Sequence, residues 1–221
     1  MRTKISFHVH DISKFKVSLL QWAQQFYEIA WLDSNDKQQQ YSSFEAILAI
    51  DALTAIKTDA TNAFEDLKVY QNETKDWLFG YLSYDLKNDV EQLTSKNYDG
   101  IEFPELYFFQ PKRLIKIKNN TVEFDYLQMV DDEIEADYTS ILNFSFDKTL
   151  EHTAQEKSLA IKMRIFKDEY FKQVTQILAH IHRGDIYEAN FCQEFYLENR
   201  HIDPSKVYHN LNAISKAPFA S

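Results

Sequence analysis

A change of periodicity at Gly184 constrains the fold more than any other feature of the sequence. Before it, apolar residues recur at spacings of three and four from Phe166 to Ile181, as in an amphipathic helix. After it, polar and apolar side chains alternate from Ile186 to Leu197, as in a β-strand. Glycine suits a helix C-terminus because it adopts the left-handed conformation without a Cβ clash. The segment therefore predicts a helix, a tight stop and a strand.

The rest of the sequence continues this mixture of helices and strands. Asp11 is a candidate N-cap for a first helix, and Asp203 followed by Pro204 for a last one. Asn119–Asn120 predicts a two-residue hairpin turn, because asparagine tolerates positive φ. Strands are predicted at 4–9, 26–32, 44–50, 53–56, 77–85, 105–110, 113–118 and 122–126. We therefore expect an α+β fold of mostly antiparallel sheets with packed helices.

Length and patterning suggest two domains. The chain has 221 residues, which is long enough to bury a substantial core. The stretch from Ser145 to Ala160 is polar and has no clear period, as expected of a linker. We predict an N-terminal domain over 1–145, a linker over 146–160 and a second domain over 161–221.

Charge and composition exclude several classes of protein. The formal net charge of −10 argues against a nucleic-acid partner, because a basic surface is needed to displace counterions from phosphates. No apolar run approaches the roughly 20 residues that span a bilayer, and the N-terminus lacks the apolar core of a signal peptide. The single cysteine, Cys192, cannot form an internal disulfide. We expect a cytoplasmic protein without a membrane partner.

Four motifs in order resemble the chorismate-binding enzyme family, which includes component I of aminodeoxychorismate synthase and component I of anthranilate synthase. They are Trp31-Leu32-Asp33-Ser34, Gly80-Tyr81-Leu82-Ser83-Tyr84-Asp85, His182-Arg183-Gly184-Asp185-Ile186-Tyr187-Glu188-Ala189-Asn190-Phe191 and Ala217-Pro218-Phe219. The sequences of these motifs resemble the aminodeoxychorismate branch more closely, although Glu188-Ala189 replaces the usual Gln-Val. An anthranilate synthase component I-like fold is therefore implied.

The resemblance implies an enzyme of para-aminobenzoate and folate biosynthesis. Such an enzyme converts chorismate and ammonia to 4-amino-4-deoxychorismate, with ammonia supplied from glutamine by a glutamine amidotransferase subunit. It also implies Mg²⁺ as cofactor. The alternative within the family is anthranilate synthase component I.

The family's catalytic and magnesium-binding motifs match positions beyond Ser221. We therefore expect a chain truncated before the end of its second domain, with neither catalytic nor metal-binding residues and inactive by itself. The acidic residues between Asp85 and Glu91 are interpreted as helix-capping and solvated groups. A second hypothesis, from another class, is a non-catalytic fragment that binds tryptophan.

The resemblance also implies a pocket for L-tryptophan. Its residues in this sequence would be Asp33, Ser34, Tyr41, Ser43, Pro218 and Phe219. Asp33 could balance the ammonium, Ser34 could orient the polar end, and Pro218 with Phe219 could form a rigid apolar wall. Two alternatives stay open: Asp33 to Asp36 as ordinary turn chemistry, and Pro218 and Phe219 as ordinary core packing.

Overall fold

The computed structural model describes residues 1–37, 42–91, 93–144 and 161–221. Two compact units are present, the first formed by Met1–Phe146 with Tyr208–Ser221 and the second by Asp147–Val207. The predicted linker over 146–160 lies outside the described residues. The predicted domain limits stay a prediction.

A six-stranded antiparallel sheet forms the first unit. The strands are β1 (Arg2–His8), β2 (Ile29–Asp33), β3 (Ala46–Thr58), β4 (Phe79–Leu82), β5 (Leu106–Lys118) and β6 (Thr121–Leu127). Their order is β1-β6-β5-β3-β2, with β4 also paired to β5. The α+β class with antiparallel sheets is therefore confirmed.

The described part of the chain contains six α-helices, and none of them is long and apolar enough to cross a membrane. They are α1 (Ile12–Ala23), α2 (Ala63–Thr74), α3 (Lys87–Glu91), α4 (Ile134–Leu142), α5 (Lys167–Arg183) and α6 (Pro204–Ile214). The predicted caps of α1 and α6 are confirmed. Asp11 Oδ1 accepts the Lys14 N–H at 2.9 Å, and Asp203 Oδ1 accepts the Lys206 N–H at 3.1 Å.

One face of the sheet carries the main core. Register places a row of apolar side chains across five strands, formed by Ile5, Phe124, Ile115, Leu48 and Trp31. Helices α1 and α4 cover this row with apolar residues that include Leu19, Ile134 and Ile141, all fully buried. The strand period of two and the helical period near 3.6 thus present apolar residues to the same layer.

A buried arginine ties α4 to the sheet at one end of this core. The Arg113 side chain is 7% exposed and pairs with Asp51, with Glu133 at 2.6 Å and with Asp137 at 3.4 Å. Tyr126 donates a hydrogen bond to the same Asp137 at 2.9 Å. A buried guanidinium is tolerated here because carboxylates surround it.

Two predicted strand breaks are wrong. The residues predicted as separate strands 44–50 and 53–56 form the single strand β3, which bends at a β-bulge between Ala52 and Thr54. Asp51, which immediately precedes the bulge, has a positive φ of 61°. Strand β5 likewise continues through Pro111, which pairs with Ala52 beside the bulge. Proline is tolerated there because the hydrogen-bond ladder is already irregular.

The strand predicted over 77–85 is shorter in the structure, and its apolar residues on both faces do not make it a central strand. Strand β4 covers only Phe79–Leu82 and pairs with β5 alone. It occupies the edge of β5 at 106–109, whereas β6 occupies the same edge at 113–118. The apolar residues on both faces of this run make aromatic contacts with one another, such as Trp77 with Phe79. They do not indicate a central position in the sheet.

The second unit contains α5 and two short strands, β7 (Lys162–Met163) and β8 (Phe195–Tyr196). The predicted helix end is confirmed, because Gly184 follows α5 with a φ of 83°. The predicted strand over 186–197 is wrong except at β8, since residues 186–191 form no ladder hydrogen bonds. Alternation alone does not make a strand where no partner strand is adjacent.

Candidate functional site

Two segments far apart in sequence meet at the end of β2. The Asp33 N–H donates to the Ala220 carbonyl at 2.9 Å, and the Ala220 N–H donates to the Asp33 carbonyl at 2.9 Å. This antiparallel bridge places Pro218 and Phe219 beside Leu32 and Ser34. The structure therefore brings residues from both ends of the chain to one site.

A cleft of about 490 Å³ lies at this junction, and we call it the β2 cleft. Its lining contains five of the six residues predicted for the amino-acid pocket, and the sixth, Tyr41, lies outside the described residues. The lining residues are Leu32, Asp33, Ser34, Ser42, Ser43, Phe44, Glu45, Pro218, Phe219, Ala220 and Ser221.

Ser34 carries an unsatisfied hydroxyl. Its backbone N–H donates to the Glu45 carbonyl at 2.9 Å, which holds the residue against β3. Its Oγ is buried and makes no hydrogen bond with any described residue. A buried hydroxyl without a partner costs about 1–3 kcal/mol, so a ligand atom that hydrogen-bonds to it gains correspondingly.

Asp33 is held by a lysine that sequence reasoning missed. Lys16 of α1 lies 3.0 Å from Asp33 Oδ1, and the two side chains are 13% and 10% exposed. The same Oδ1 accepts the Asn35 N–H at 2.9 Å. No described residue donates to the second oxygen, Oδ2. Asp33 is thus fixed in place through Oδ1.

An asparagine pair connects this end of β2 with α6. Asn35 and Asn212 exchange two amide hydrogen bonds of 2.8 Å, and Asn35 also donates to the Ala217 carbonyl at 2.7 Å. The Trp31 indole N–H donates to the Tyr208 hydroxyl at 3.1 Å. Asn35 has a left-handed backbone with a φ of 52°, which asparagine tolerates, but the sequence gives no signal of its pairing with Asn212.

The described lining of the β2 cleft is acidic, although Lys16, which is outside the lining, offsets the charge of Asp33. Its described lining contains the carboxylates of Asp33 and Glu45 and no lysine, arginine or histidine. Apolar walls come from Leu32, Phe44 and Phe219. An ammonium group on an aromatic body matches this combination, because carboxylate and hydroxyl oxygens can accept its protons.

Acidic side chains elsewhere do not form a metal centre. Among the residues that the structure describes, no group of three or more His, Cys, Asp or Glu side chains could hold a metal ion. Of the acidic residues near 85–91, Asp85 pairs with Lys87, and Asp89 accepts the Asn62 N–H at 3.0 Å. The described residues therefore do not fit a magnesium site.

The motif around Gly184 forms an exposed polar cluster within the second unit. His180 Nδ1 lies 2.7 Å from Asp185 Oδ2, and Arg183 Nε donates to the same oxygen at 2.9 Å. The Arg183 guanidinium and the His180 ring lower the pKa of Asp185 below its usual range. The cluster keeps the turn after α5 in a defined conformation.

Comparison with known proteins decides the family. The family model described as chorismate binding enzyme matches residues 27–221, which is more than half of the chain. The chain belongs to the chorismate binding enzyme family. The β2 cleft lies wholly within the matched residues.

Two curated relatives of this member of the chorismate binding enzyme family carry related names. An anthranilate synthase component I-like protein of Synechocystis is 27% identical over 146 residues, which cover 66% of this chain and 29% of that protein. Anthranilate synthase component 1 of Acetivibrio thermocellus is 25% identical over 158 residues, covering 63% of this chain and 32% of that protein. The chain thus matches about a third of the length of these relatives.

Proposed function

We propose that this chain is part of component I of aminodeoxychorismate synthase. The observation that carries the proposal is the family match over 27–221. The matched residues include the motif at 182–191, whose sequence resembles that branch more closely. The reaction replaces the 4-hydroxyl of chorismate with ammonia and releases water. A glutamine amidotransferase subunit supplies the ammonia.

Anthranilate synthase component I is the alternative, and the names of both relatives favour it. In that reaction ammonia adds to chorismate, and water and pyruvate leave as the ring becomes aromatic. Because only this branch releases pyruvate, the products separate the two proposals. The family resemblance also implies Mg²⁺, but the described residues do not fit a magnesium site.

The test is a product assay. The 221-residue chain and any longer protein that contains it are incubated with chorismate, MgCl₂ and ammonium chloride, and products are separated by liquid chromatography and mass spectrometry. We expect 4-amino-4-deoxychorismate without pyruvate from the longer protein, and no turnover above a heat-treated control from the 221-residue chain. Anthranilate with equimolar pyruvate would replace the first proposal with the alternative.

We infer a second function, binding of an aromatic amino acid in the β2 cleft, from the buried Ser34 hydroxyl at its base, which has no hydrogen-bond partner among the described residues. Asp33, the preceding residue, accepts the hydrogen bonds of Lys16 and Asn35 through Oδ1. Since no basic side chain is found in the described lining, the ammonium provides the main anchor. L-Tryptophan is the ligand that the family resemblance implies.

Calorimetric titrations with three indole compounds test this function. We expect L-tryptophan and tryptamine to bind, and indole-3-propionate, which lacks the ammonium, to bind at least tenfold more weakly, a loss of about 1.4 kcal/mol. Ser34→Ala should weaken both amines, whereas Ser140→Ala, at an exposed position of α4, should not. Equal binding of all three compounds would contradict the ammonium anchor.

A further inference from the structure

A second cleft, of about 470 Å³, lies beside the hairpin turn that joins β5 and β6, and we call it the hairpin cleft. Its lining includes Ser6, Trp77, Lys116, Lys118, Thr121 and Glu123. The described linings of this cleft and of the β2 cleft share only Ser43 and Phe44. The hairpin cleft takes no part in the functions proposed above.

The floor of the hairpin cleft is a grid of polar side chains from three neighbouring strands. Register places Ser6 of β1 opposite Glu123 of β6, and Glu123 opposite Lys116 of β5. The next row pairs Thr121 with Lys118. Side chains that are directly opposite each other lie about 5 Å apart, so this floor offers hydrogen-bond donors and acceptors side by side.

Ion pairs hold this floor in place. Lys116 Nζ lies 2.7 Å from Glu123 Oε1 and 2.8 Å from Asp125 Oδ2. The same Nζ lies 5.5 Å from the centroid of the Trp77 ring, a distance typical of a cation–π contact. A ligand therefore meets polar groups that are already ordered, which lowers the entropic cost of binding.

The charges at the hairpin cleft balance. Its described lining contains two lysines and one glutamate, and the charged side chains bonded to that lining are Lys4, Asp125 and Glu45. Three ammonium groups thus face three carboxylates. Because neither sign is in excess, the cleft does not select an anion or a cation.

An exposed indole forms one wall of the hairpin cleft. Trp77 is 42% exposed, whereas Trp22 and Trp31 are 3% and 7% exposed. The Trp77 ring contacts Phe44, which lines the same cleft, edge to face at a centroid distance of 6.5 Å. An aromatic surface next to ordered polar groups suits a ligand that has one apolar face and a polar edge.

We propose that the hairpin cleft binds a neutral sugar ring. A pyranose has a face of C–H groups and an edge of hydroxyls, each of which donates and accepts hydrogen bonds. The C–H face packs on Trp77, while the hydroxyls bond to Glu123, Lys118 and Ser6. Hydroxyls need donors and acceptors together without an excess of charge, and the floor has this composition. The volume of about 470 Å³ is also ordinary for a small-molecule site.

Ligand-detected NMR titrations with the methyl glycosides of glucose, galactose and mannose test this site. We expect saturable binding of at least one of the three at millimolar concentrations. Because the charges balance, the uronate and the amino sugar that correspond to the best binder should bind within about threefold of it.

Variants of the wall and floor locate the binding. Trp77→Ala should weaken the glycoside about tenfold, whereas Trp77→Phe, which keeps an aromatic face, should retain most of the affinity. Binding should change tryptophan fluorescence in the unmodified chain but not in Trp77→Phe, since Trp22 and Trp31 are buried. Ser6→Ala and Lys118→Gln, both at exposed positions, each remove one hydrogen bond and should weaken binding about fivefold.

Ser13→Ala and Lys57→Gln are the matched controls, since both positions are exposed and outside the lining. We expect neither to change the binding of any probe. The proposal would be overturned by the absence of saturable binding for all three glycosides, by a uronate that binds about tenfold more tightly than the neutral sugar, or by an unaffected Trp77→Ala variant.

Discussion

Gly80 shows how a single residue sets the position of a whole strand. A Cβ at this position would lie 1.9 Å from the Tyr107 carbonyl oxygen and 2.7 Å from the Phe108 Cα. Both are backbone atoms of β5, the strand that pairs with β4. The clash cannot be relieved by turning a side chain, so any larger residue separates the two strands.

We therefore predict that Gly80→Ala destabilises the protein by about 3 kcal/mol, at the upper end of ordinary overpacking. Urea denaturation followed by tryptophan fluorescence measures the change. Gly100→Ala is the matched control, because its Cβ would meet only the Tyr98 side chain, at 2.9 Å. Tyr98 is an exposed side chain and not backbone, so we expect a cost below about 1 kcal/mol. Similar costs for both variants would contradict this account.

The buried ion pair between Arg2 and Asp76 predicts how the stability of the protein changes at acid pH. Arg2 and Asp76 pair at 2.9 Å with side chains 9% and 16% exposed, and Gln110 donates to Asp76 at 2.8 Å. Burial alone would raise the pKa of Asp76, but hydrogen bonds from Arg2, Gln110 and the Trp77 backbone N–H lower it. A lowered folded-state pKa stabilises the protein above the unfolded-state pKa and loses that effect as pH falls through the folded-state value.

Asp76→Asn should accordingly cost about 2 kcal/mol at neutral pH, the scale of hydrogen bonds to a charged group. The difference from the unmodified chain should begin to shrink below about pH 4, where the unfolded-state carboxyl takes up a proton, and should vanish only below the lowered folded-state pKa of Asp76. Denaturation curves recorded between neutral pH and pH 3 check this. Asp132→Asn, at an exposed position, is the control. A difference that stays constant with pH would refute the role of the Asp76 charge.

At the scale of elements, the asparagine pair between β2 and α6 predicts a measurable coupling. Asn35→Ala removes the three hydrogen bonds to Asn212 and Ala217 and places alanine at a positive φ. We expect a loss of about 2–3 kcal/mol, part of it from the left-handed backbone. Asn35→Gly leaves the backbone unstrained, so we expect a smaller loss in the free energy of unfolding. That smaller loss measures the contribution of the hydrogen bonds alone.

A double-mutant cycle with Asn212→Ala completes the test. If the two amides act on each other, the combined variant should lose about 1 kcal/mol less than the sum of the single losses. Strict additivity would mean that each asparagine acts independently of the other.

Elements that depend on local chemistry could be predicted from the sequence, and those that depend on distant partners could not. Asp11, Asn119 and Gly184 act on their own backbones, and each stands where it was expected. The continuity of β5 through Pro111 depends on a bulge in β3, far away in sequence. A single strand's pattern contains no information about such a neighbour.

The same distinction applies to the β2 cleft. Ser34 and Phe219 were expected together because the family motifs contain them, and the structure places both in one lining. Lys16 was missed because a lysine within a helix has no local signature of its partner, Asp33. The asparagine pair was missed for the same reason, since 177 residues separate its members.

At the scale of the whole molecule, the first unit is closed by residues from both ends of the chain. Tyr208–Ser221 packs with Met1–Phe146, and the β2 cleft lies where they meet. A ligand in this cleft would contact both segments and would bind only when they are assembled. The proposed binding would therefore be linked to folding of the first unit, since the unfolded chain has no such site.

We therefore predict that L-tryptophan raises the thermal stability of the chain. At 100 times its dissociation constant the ligand should add about 2.7 kcal/mol to the free energy of unfolding by mass action. For a chain of 221 residues this corresponds to a rise in melting temperature of roughly 5–11 °C, since each kcal/mol shifts it by about 2–4 °C. Calorimetric scans on protein first freed of copurified ligand measure it. Ser34→Ala should need more tryptophan for the same shift, and an unchanged melting temperature at millimolar tryptophan would remove this ligand from the β2 cleft.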